Sequence, residues 1–227
     1  MAIVALKKKK RPSKEQRIET IVDAARHVFC LRGFEKASVA SIAETAGVAE
    51  GTIYTYFEGK RELLYEVLKR HYSVIFEEID RTLPVIQGHA NRLRFLIMRA
   101  LHAIAGDRAM CRLITCELRQ AGESDQSVVH DLNRHYAELL VQVLKEGKAD
   151  GTFRADTSVY IVRDLICGGL ELTAWSYMLT GRQIDVEAVT ESVARTVLGG
   201  VETDTHEYVS LHALVKRLEH VAAKLDA

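Results

Sequence analysis

Apolar residues recur every three or four positions along almost the whole chain, the interval at which side chains share one face of an α-helix. Few residues are available to interrupt this pattern, since the 227 residues include only 2 prolines and 14 glycines. An antiparallel sheet protein of this length would need many more turns. The sequence therefore predicts an all-α fold.

Composition narrows the class of protein. Hydrophobic residues make up 48% and charged residues 27%, which are ordinary globular proportions, and no apolar run reaches membrane-spanning length. The apolar residues 1–6 precede a basic run instead of following it, the reverse of a secretory signal peptide. We expect a cytoplasmic protein with no membrane partner.

The four cysteines form no CxxC pair and do not have metal-ligand spacing with histidine. We therefore expect reduced, buried thiols at Cys30, Cys111, Cys116 and Cys167.

Two short helices joined by a tight turn are predicted near the N-terminus. A first helix follows the capping-box pattern of Ser13 and Gln16. A second follows Ser38 and ends at Gly47, and three residues then separate it from a third helix over 50–56. This is the helix-turn-helix pattern, in which the second of the two helices can enter a major groove.

A fourth helix is predicted over 60–83, ending where Pro84 disfavours further helix. Breaks at Gly106, Gly122, Gly147, Asp150-Gly151 and Gly181 then predict helices over 89–105, 108–121, 125–146, 157–180 and 185–198. The predicted organisation is a basic disordered arm over 1–12, a helix-turn-helix domain over 13–59, a connecting helix over 60–84, a larger helical domain over 85–202 and a C-terminal amphipathic helix over 203–227.

Charge is distributed unevenly, which indicates a polyanion partner for the N-terminal part. Residues 1–70 carry 14 basic and 9 acidic residues, net +5, whereas the remainder carries 17 and 22, net −5. The basic run is Lys7, Lys8, Lys9, Lys10 and Arg11. Because the run adjoins the helix-turn-helix, we expect it to follow a DNA backbone or enter a minor groove, the alternative being a solvated tail.

Residues 38–64 closely resemble the DNA-binding region of the TetR family of bacterial transcriptional regulators. The matching residues keep the family's order and spacing: Ala24, Ala25, Phe29, Gly33, Phe34, Ile42, Ala43, Ala46, Gly47, Val48, Gly51, Thr52, Ile53, Tyr54, Tyr56, Phe57, Lys60, Leu63 and Leu64. The resemblance implies an N-terminal three-helix DNA-binding domain followed by a larger helical ligand-binding and dimerisation domain. It also implies a homodimer that binds double-stranded operator DNA.

The resemblance also assigns roles within this region. Ile42, Ala43, Val48, Ile53 and Phe57 are expected to pack the helices together. The predicted DNA-binding surface has phosphate contacts from Thr52, Tyr54, Tyr56 and Lys60, base reading by Glu50, Gly51 and Thr55 with help from Ala40, and Ser38 at the start of the second helix. The family often has Ser or Thr where Ala49 stands, so the third helix here lacks a side-chain N-cap.

In such dimers, the last two large helices, here 157–180 and 185–198, form the interface with their counterparts. Gly168-Gly169 would permit close approach there, the alternative being a glycine pair packed inside one subunit. The two recognition helices would lie roughly 34–36 Å apart, and a small apolar ligand in the body would change that separation through the fourth helix.

A narrower resemblance concerns the ligand domain. Gly106-Asp107, residues 117–120, residues 168–175 and Gly181 look like the acyl-CoA-responsive fatty-acid-degradation repressors of the TetR family. Long-chain acyl-CoA is therefore the expected effector, its phosphates near Arg112 or Arg119, although Arg119 also suits an ion pair with Glu117. The candidate ligand contacts, which periodicity alone does not separate from ordinary core, are Leu101, Ile104, Met110, Leu113, Ile114, Arg119, Tyr136, Leu140, Leu172, Trp175 and Tyr177.

Catalytic motifs are absent from the sequence: there is no GxSxG, P-loop, HExxH or strand-linked GxGxxG. His130 and His135 are five residues apart, as are Cys111 and Cys116, which does not suit a metal pair on one helical face. We expect no enzyme activity, no metal and no cofactor.

Two classes of function remain: a ligand-responsive DNA-binding repressor, or a helical binding module that no longer uses its DNA-binding head. Multidrug or other apolar compounds are alternative effectors.

Overall fold

The computed structural model describes residues 13–120 and 128–203. Within these ranges the regular elements are helices, joined by short turns and one isolated bridge between Phe153 and Glu202. The predicted all-α fold is confirmed. The α-helices are α1 Lys14–Arg32, α2 Val39–Ala46, α3 Glu50–Tyr54, α4 Lys60–Thr82, α5 His89–Gly106, α6 Arg108–Gln120, α7 Val128–Ala149, α8 Val159–Thr180 and α9 Val186–Val201.

Local capping chemistry fixes the ends of the first two helices as predicted. Ser13 accepts the N–H of Gln16 at 3.2 Å, and the Gln16 side chain accepts the N–H of Ser13 at 3.0 Å. Ser38 caps α2 in the same reciprocal way with Ser41. Gly47 ends α2 with φ 66° and ψ 34°, the left-handed conformation that glycine adopts without steric cost.

The third helix is shorter than predicted. It ends at Tyr54 instead of residue 56, and Ala49 supplies no side-chain cap at its start. The chain turns at once, because the N–H groups of Tyr56 and Phe57 both bond to the Ile53 carbonyl. The fourth helix ends at Thr82 and passes into a 3-10 turn, Leu83–Val85, with Pro84 near its start.

Gly147 does not break a helix as the sequence suggested. Helix α7 continues through it to Ala149, and a Cβ atom at this position would overlap the ring of Phe153. Phe153 is 1% exposed and donates its N–H to the Gly147 carbonyl at 2.8 Å. The glycine therefore allows an aromatic ring to pack against the helix backbone.

Two apolar cores divide the described residues. The first, which we call the head core, joins α1, α2, α3 and the N-terminal half of α4, and α6 adds Met110 and Leu113 to it. The second, the body core, joins the C-terminal half of α4 to α5, α7, α8 and α9. Helix α4 contributes to both, Leu68 to the head core and Ile79 to the body core. The predicted arm over 1–12 and the helix over 203–227 lie outside the described residues.

Candidate DNA-binding surface and ligand cavity

Helices α2 and α3 form a helix-turn-helix held by side chains that the sequence assigned to its core. Ile42 and Ile53 are fully buried, Ala43 and Phe57 are buried, and Val48 packs against them while half-buried. This part of the prediction is confirmed. The packing leaves the outer face of α3 in solvent.

Most of the predicted DNA-contacting residues that the structure describes are exposed on α2 and α3. Those exposed are Ser38, Ala40, Glu50, Gly51, Tyr54 and Thr55, while Thr52 and Tyr56 are half-buried. Tyr54 stands out, because 54% of this large aromatic residue is exposed. A hydroxyl on an exposed ring beside a helix-turn-helix is well placed to bind a phosphate oxygen. The basic residues Lys7, Lys8, Lys9, Lys10 and Arg11 lie outside the described residues.

Two of the predicted contacts use their polar groups within the protein. Thr55 donates its hydroxyl to the Gly51 carbonyl at 3.0 Å, which leaves its methyl group and oxygen lone pairs for DNA. Lys60 donates to the carbonyls of Phe34 at 2.8 Å and Glu35 at 3.2 Å, and its ammonium lies 4.4 Å from the centre of the Phe34 ring. Lys60 therefore ties the start of α4 to the loop after α1, and only one of its three donors remains for a phosphate.

The body contains a partly open cavity of about 580 Å³. Five helices each contribute one stripe of side chains to its wall: His71, Tyr72, Ile75 and Phe76 from α4; Ala100, Ala103 and Ile104 from α5; Cys111, Ile114 and Thr115 from α6; His130, Asn133, Arg134, Tyr136 and Ala137 from α7; and Arg163, Asp164, Cys167, Leu170, Glu171 and Ala174 from α8. Its volume lies in the range typical of small-molecule sites.

Three of the predicted ligand contacts, Ile104, Ile114 and Tyr136, line this cavity. The others do not. Leu101 and Leu140 are buried in the body core, Met110 and Leu113 in the head core, and Leu172 is 67% exposed on the opposite face of α8. Trp175 is half-buried outside the lining, and Tyr177 donates its hydroxyl to the Ala105 carbonyl at 3.3 Å. The side chain of Arg119 is not among those described.

The sequence did not predict that α4 lines the cavity, because this helix was interpreted as a connection between domains. A signal for the cavity was present on α6 and α7, where polar Thr115 and Asn133 stand at positions that would continue the apolar pattern. Arg112, one of the two predicted phosphate contacts, instead lines a smaller cleft of about 160 Å³ between α6 and the end of α1.

Burial favours the neutral form of three polar groups in the cavity wall, His71, Tyr72 and Tyr136. Burial lowers the pKa of His71 below its ordinary 6.5, partly opposed by Asp107. Burial raises the pKa of Tyr72 and Tyr136, so both hydroxyls remain donors, Tyr72 to Asn133 Oδ1 at 2.9 Å and Tyr136 to the Leu96 carbonyl at 3.0 Å.

Two arginines of the cavity lining pair with exposed carboxylates at its mouth. Arg134 pairs with Asp131 at 2.9 Å, and Arg163 pairs with Asp164 at 2.7 Å. Both acidic partners are more than 60% exposed. Such pairs contribute little and exchange readily for a better anion.

A polar contact joins the head to the wall of the cavity. Arg26 of α1 forms an ion pair with Asp107, the residue before α6. The other oxygen of Asp107 accepts the N–H of Met110 at 2.9 Å, which satisfies one free donor in the first turn of α6. The next turn of α6 carries Cys111 and Ile114 into the cavity wall.

One face of α8 is apolar and exposed. Ile161, Leu165, Leu172 and Leu179 are each 61–67% exposed and recur at helical spacing. Cβ atoms added at Gly168 and Gly169 on this face would meet nothing within 4 Å. The alternative that this glycine pair packs inside one subunit is therefore wrong.

Comparison with known proteins assigns the family. Residues 21–67 match the model for the bacterial regulatory proteins of the tetR family, and residues 68–200, more than half of the chain, match the YsiA-like C-terminal region. The chain belongs to the TetR family. It is a DNA-binding transcriptional regulator, with the family's helix-turn-helix in α2 and α3.

Among TetR-family relatives, the chain is similar to the fatty acid metabolism regulator protein of Bacillus subtilis, at 27% identity over 86% of this chain and 98% of the relative. It is also 27% identical to the repressor KstR2 of Mycolicibacterium smegmatis, over 82% and 90%. Its structure resembles that of FadR from Bacillus subtilis in complex with stearoyl-CoA, with a TM-score of 0.74, 26% identity, and coverage of 80% and 98%.

Two further findings concern other kinds of site in this TetR-family protein. Within residues 13–120 and 128–203, no group of three or more His, Cys, Asp or Glu side chains is arranged to hold a metal ion. The described helices include none that is both long and apolar enough to cross a membrane.

Proposed function

We propose that this protein is a homodimeric repressor that releases its operator when a long-chain acyl-CoA occupies the body cavity. The observation that carries the proposal is the sharing of two helices between head and cavity. On α6, Leu113 belongs to the head core while its neighbour Ile114 lines the cavity. On α4, Leu68 belongs to the head core and Tyr72, one turn later, lines the cavity.

The chemistry of the cavity suits an amphiphile with a long apolar chain. Its inner wall is mainly aliphatic and aromatic, with Ile75, Phe76, Ile104 and Ile114 among its members. A structural relative, FadR from Bacillus subtilis, binds stearoyl-CoA. On α8, Arg163 is available to exchange its exposed carboxylate partner, Asp164, for a phosphate group.

The Arg26–Asp107 ion pair supplies a direct link for the switch. A ligand that moves Cys111 and Ile114 outward displaces the first turn of α6, which Asp107 caps. Because Asp107 also holds Arg26 of α1, this displacement is passed to the head. A differential affinity of a few kcal/mol between the two head positions is enough to empty an operator.

A second copy of the chain supplies the other half of the operator contact. The exposed apolar face of α8, with Gly168 and Gly169 at its centre, suits packing against its own counterpart in a two-fold dimer. Gly199 and Gly200 on α9 are also exposed and would permit close approach of a second copy. The dimer would present two copies of α3 to successive major grooves, roughly 34–36 Å apart.

On the DNA, we assign base contacts to the exposed Glu50 and Gly51, and phosphate contacts to the exposed Tyr54 and the half-buried Thr52. Lys60 is assigned a structural role first, since two of its donors are bonded to carbonyls. A regulator of this kind acts in the cytoplasm, where bacterial operators are accessible.

The DNA-binding half of the proposal is tested by selecting a duplex from a random pool with the full chain and measuring its affinity for variants. Loss of a hydrogen bond to a charged group costs about 1.5–3 kcal/mol, so Tyr54→Ala should raise Kd at least tenfold. Tyr160→Ala is the matched control, because Tyr160 is 53% exposed but lies on α8 of the body. Equal affinity of the Tyr54 variant and wild type would favour a binding module that does not use its head.

The ligand half is tested by thermal unfolding of the purified protein with octadecanoyl-CoA. A ligand at 100 times its Kd adds about 2.7 kcal/mol to the free energy of unfolding. The melting temperature should rise with acyl-CoA and remain unchanged with CoA alone. Absence of any shift with acyl-CoA would overturn the effector assignment while leaving the DNA-binding assignment in place.

A further inference from the structure

A hydrogen-bonded polar pair crosses the otherwise largely apolar cavity. The Tyr72 hydroxyl on α4 donates to Oδ1 of Asn133 on α7 at 2.9 Å. Tyr72 is enclosed by its neighbours, including an edge contact from the His71 ring at 5.8 Å and a tilted contact with Phe76 at 5.9 Å. These ring contacts hold the phenol in place, and the phenol in turn holds the Asn133 carboxamide.

This bond fixes which way the Asn133 amide points. Because Oδ1 receives the Tyr72 proton, Nδ2 is turned away from Tyr72, and it carries two N–H donors. Among the described residues, Nδ2 has no hydrogen-bond acceptor, although Asn133 is half-buried and lines the cavity. This donor is accessible from the cavity and can therefore donate to a ligand oxygen that enters it.

The position of Asn133 along the cavity identifies that oxygen. On α7, His130 and Arg134 are exposed at the mouth, whereas Ala137, one turn beyond Asn133, is half-buried in the wall. Asn133 therefore lies where exposed polar side chains give way to a half-buried apolar one. In an acyl-CoA, the polar group bonded directly to the hydrocarbon chain is the thioester, and the pantetheine arm separates it from the phosphates.

We propose that Asn133, oriented by Tyr72, donates a hydrogen bond to the thioester carbonyl oxygen of the bound acyl-CoA. This inference rests on the proposed acyl-CoA response. Asn133 is then a specificity-determining residue: it favours acyl thioesters over ligands of equal chain length that lack the carbonyl. A neutral hydrogen bond of this kind changes affinity about 2- to 12-fold.

The test compares two probes that differ only in the carbonyl group, hexadecanoyl-CoA and the thioether S-hexadecyl-CoA. Calorimetric titration of the full-length wild type should give a Kd for the thioester about 2- to 12-fold lower than for the thioether. Asn133→Leu keeps similar bulk but has no donor, so the two Kd values should become equal. Tyr72→Phe keeps the ring but frees the amide, and should lower the preference.

Asn91→Leu is the matched control, since Asn91 is exposed at the start of α5 and bonds to the Gln87 carbonyl at 3.1 Å. This control should retain the full wild-type preference, and operator affinity without ligand should be equal in all variants, which verifies folding. Equal wild-type Kd values for the two probes, or an Asn133→Leu protein that retains the preference, would overturn the inference while acyl-CoA binding stands. Failure of wild type to bind either probe would overturn the proposed effector and this inference with it.

Discussion

Filling the cavity should shorten the longest acyl chain that the protein binds well. A methylene group occupies about as much space as a water molecule in the liquid, about 30 Å³. The cavity of about 580 Å³ therefore has room for about 19 chain carbons. Ala103 lines it from α5, is half-buried, and belongs to neither apolar core, so its methyl group faces open space.

Ala103→Phe places a phenyl ring in that space. A benzene-sized cavity is about 150 Å³, which is the room of about five methylene groups. The longest chain accommodated should fall from about 19 to about 14 carbons. For octadecanoyl-CoA about four methylenes are then left unburied, at about 0.8 kcal/mol each, a loss of about 3 kcal/mol or roughly 200-fold in Kd.

The assay is calorimetric titration of wild type and variant with acyl-CoA chains of 12, 14, 16 and 18 carbons. Wild-type affinity should rise along the whole series, whereas the affinity of Ala103→Phe should stop rising near 14 carbons, with dodecanoyl-CoA bound about as well as by wild type. Ala149→Phe is the control, because Ala149 is exposed at the end of α7, outside the cavity. Equal weakening of all chain lengths, or unchanged binding of the 18-carbon chain, would refute the cavity as the acyl site.

Three further results are expected. Gly147→Ala should lower the free energy of unfolding by about 1–3 kcal/mol in urea titration, because the added methyl group overlaps the Phe153 ring. Asp107→Asn keeps a capping side chain but loses the charge that pairs with Arg26, so acyl-CoA should release operator less completely, as measured by fluorescence anisotropy. His71→Gln should flatten the fall in the free energy of unfolding below pH 6.5, because burial holds the His71 pKa below its ordinary 6.5.

The sign of the pH effect follows from proton binding. Between the lowered pKa of folded His71 and 6.5, the unfolded chain binds more protons than the folded one, so wild-type stability falls as pH decreases through this window. Asp107 opposes the shift, and Arg26 and Arg99 add to it. A variant with the same pH slope as wild type would contradict the assignment.

Each of the other two predictions has a control. Gly106→Ala has open space around its Cβ position and should not destabilise the protein. Asp156→Asn removes an exposed ion pair with Arg154, outside the cavity lining and both apolar cores, and should leave operator release unchanged. Destabilisation of the Gly106 variant as large as that of Gly147→Ala, or full release in Asp107→Asn, would show that the packing or the coupling is assigned to the wrong residues.

The parts of the fold that sequence predicted well are those fixed by local chemistry. Ser13 and Ser38 begin helices because their side chains satisfy N–H groups within three residues. Gly47 ends one because its left-handed conformation depends on its own backbone. Such signals lie within a few positions of the element they define, so one sequence is enough to find them.

The structural features that the sequence did not predict depend on residues far away along the chain. Gly147 was interpreted as a break, but it is a contact for Phe153, whose position is set by the fold. Leu172 has the same helical spacing as cavity residues, yet it faces solvent because α8 turns its other side inward. The donors of Lys60 are held by carbonyls at Phe34 and Glu35, about 25 positions earlier in the chain. Periodicity identifies an apolar face but not what lies opposite it.

The most direct test of the account is the Kd of the full chain for its selected operator, measured at increasing octadecanoyl-CoA with CoA alone as the control. The account predicts that Kd rises to a plateau about 5- to 150-fold above its ligand-free value, the usual range of coupling between two sites. By reciprocity, saturating operator should weaken octadecanoyl-CoA binding by the same factor. An operator Kd that stays constant while calorimetry shows the ligand bound would contradict the claim that the cavity controls the head.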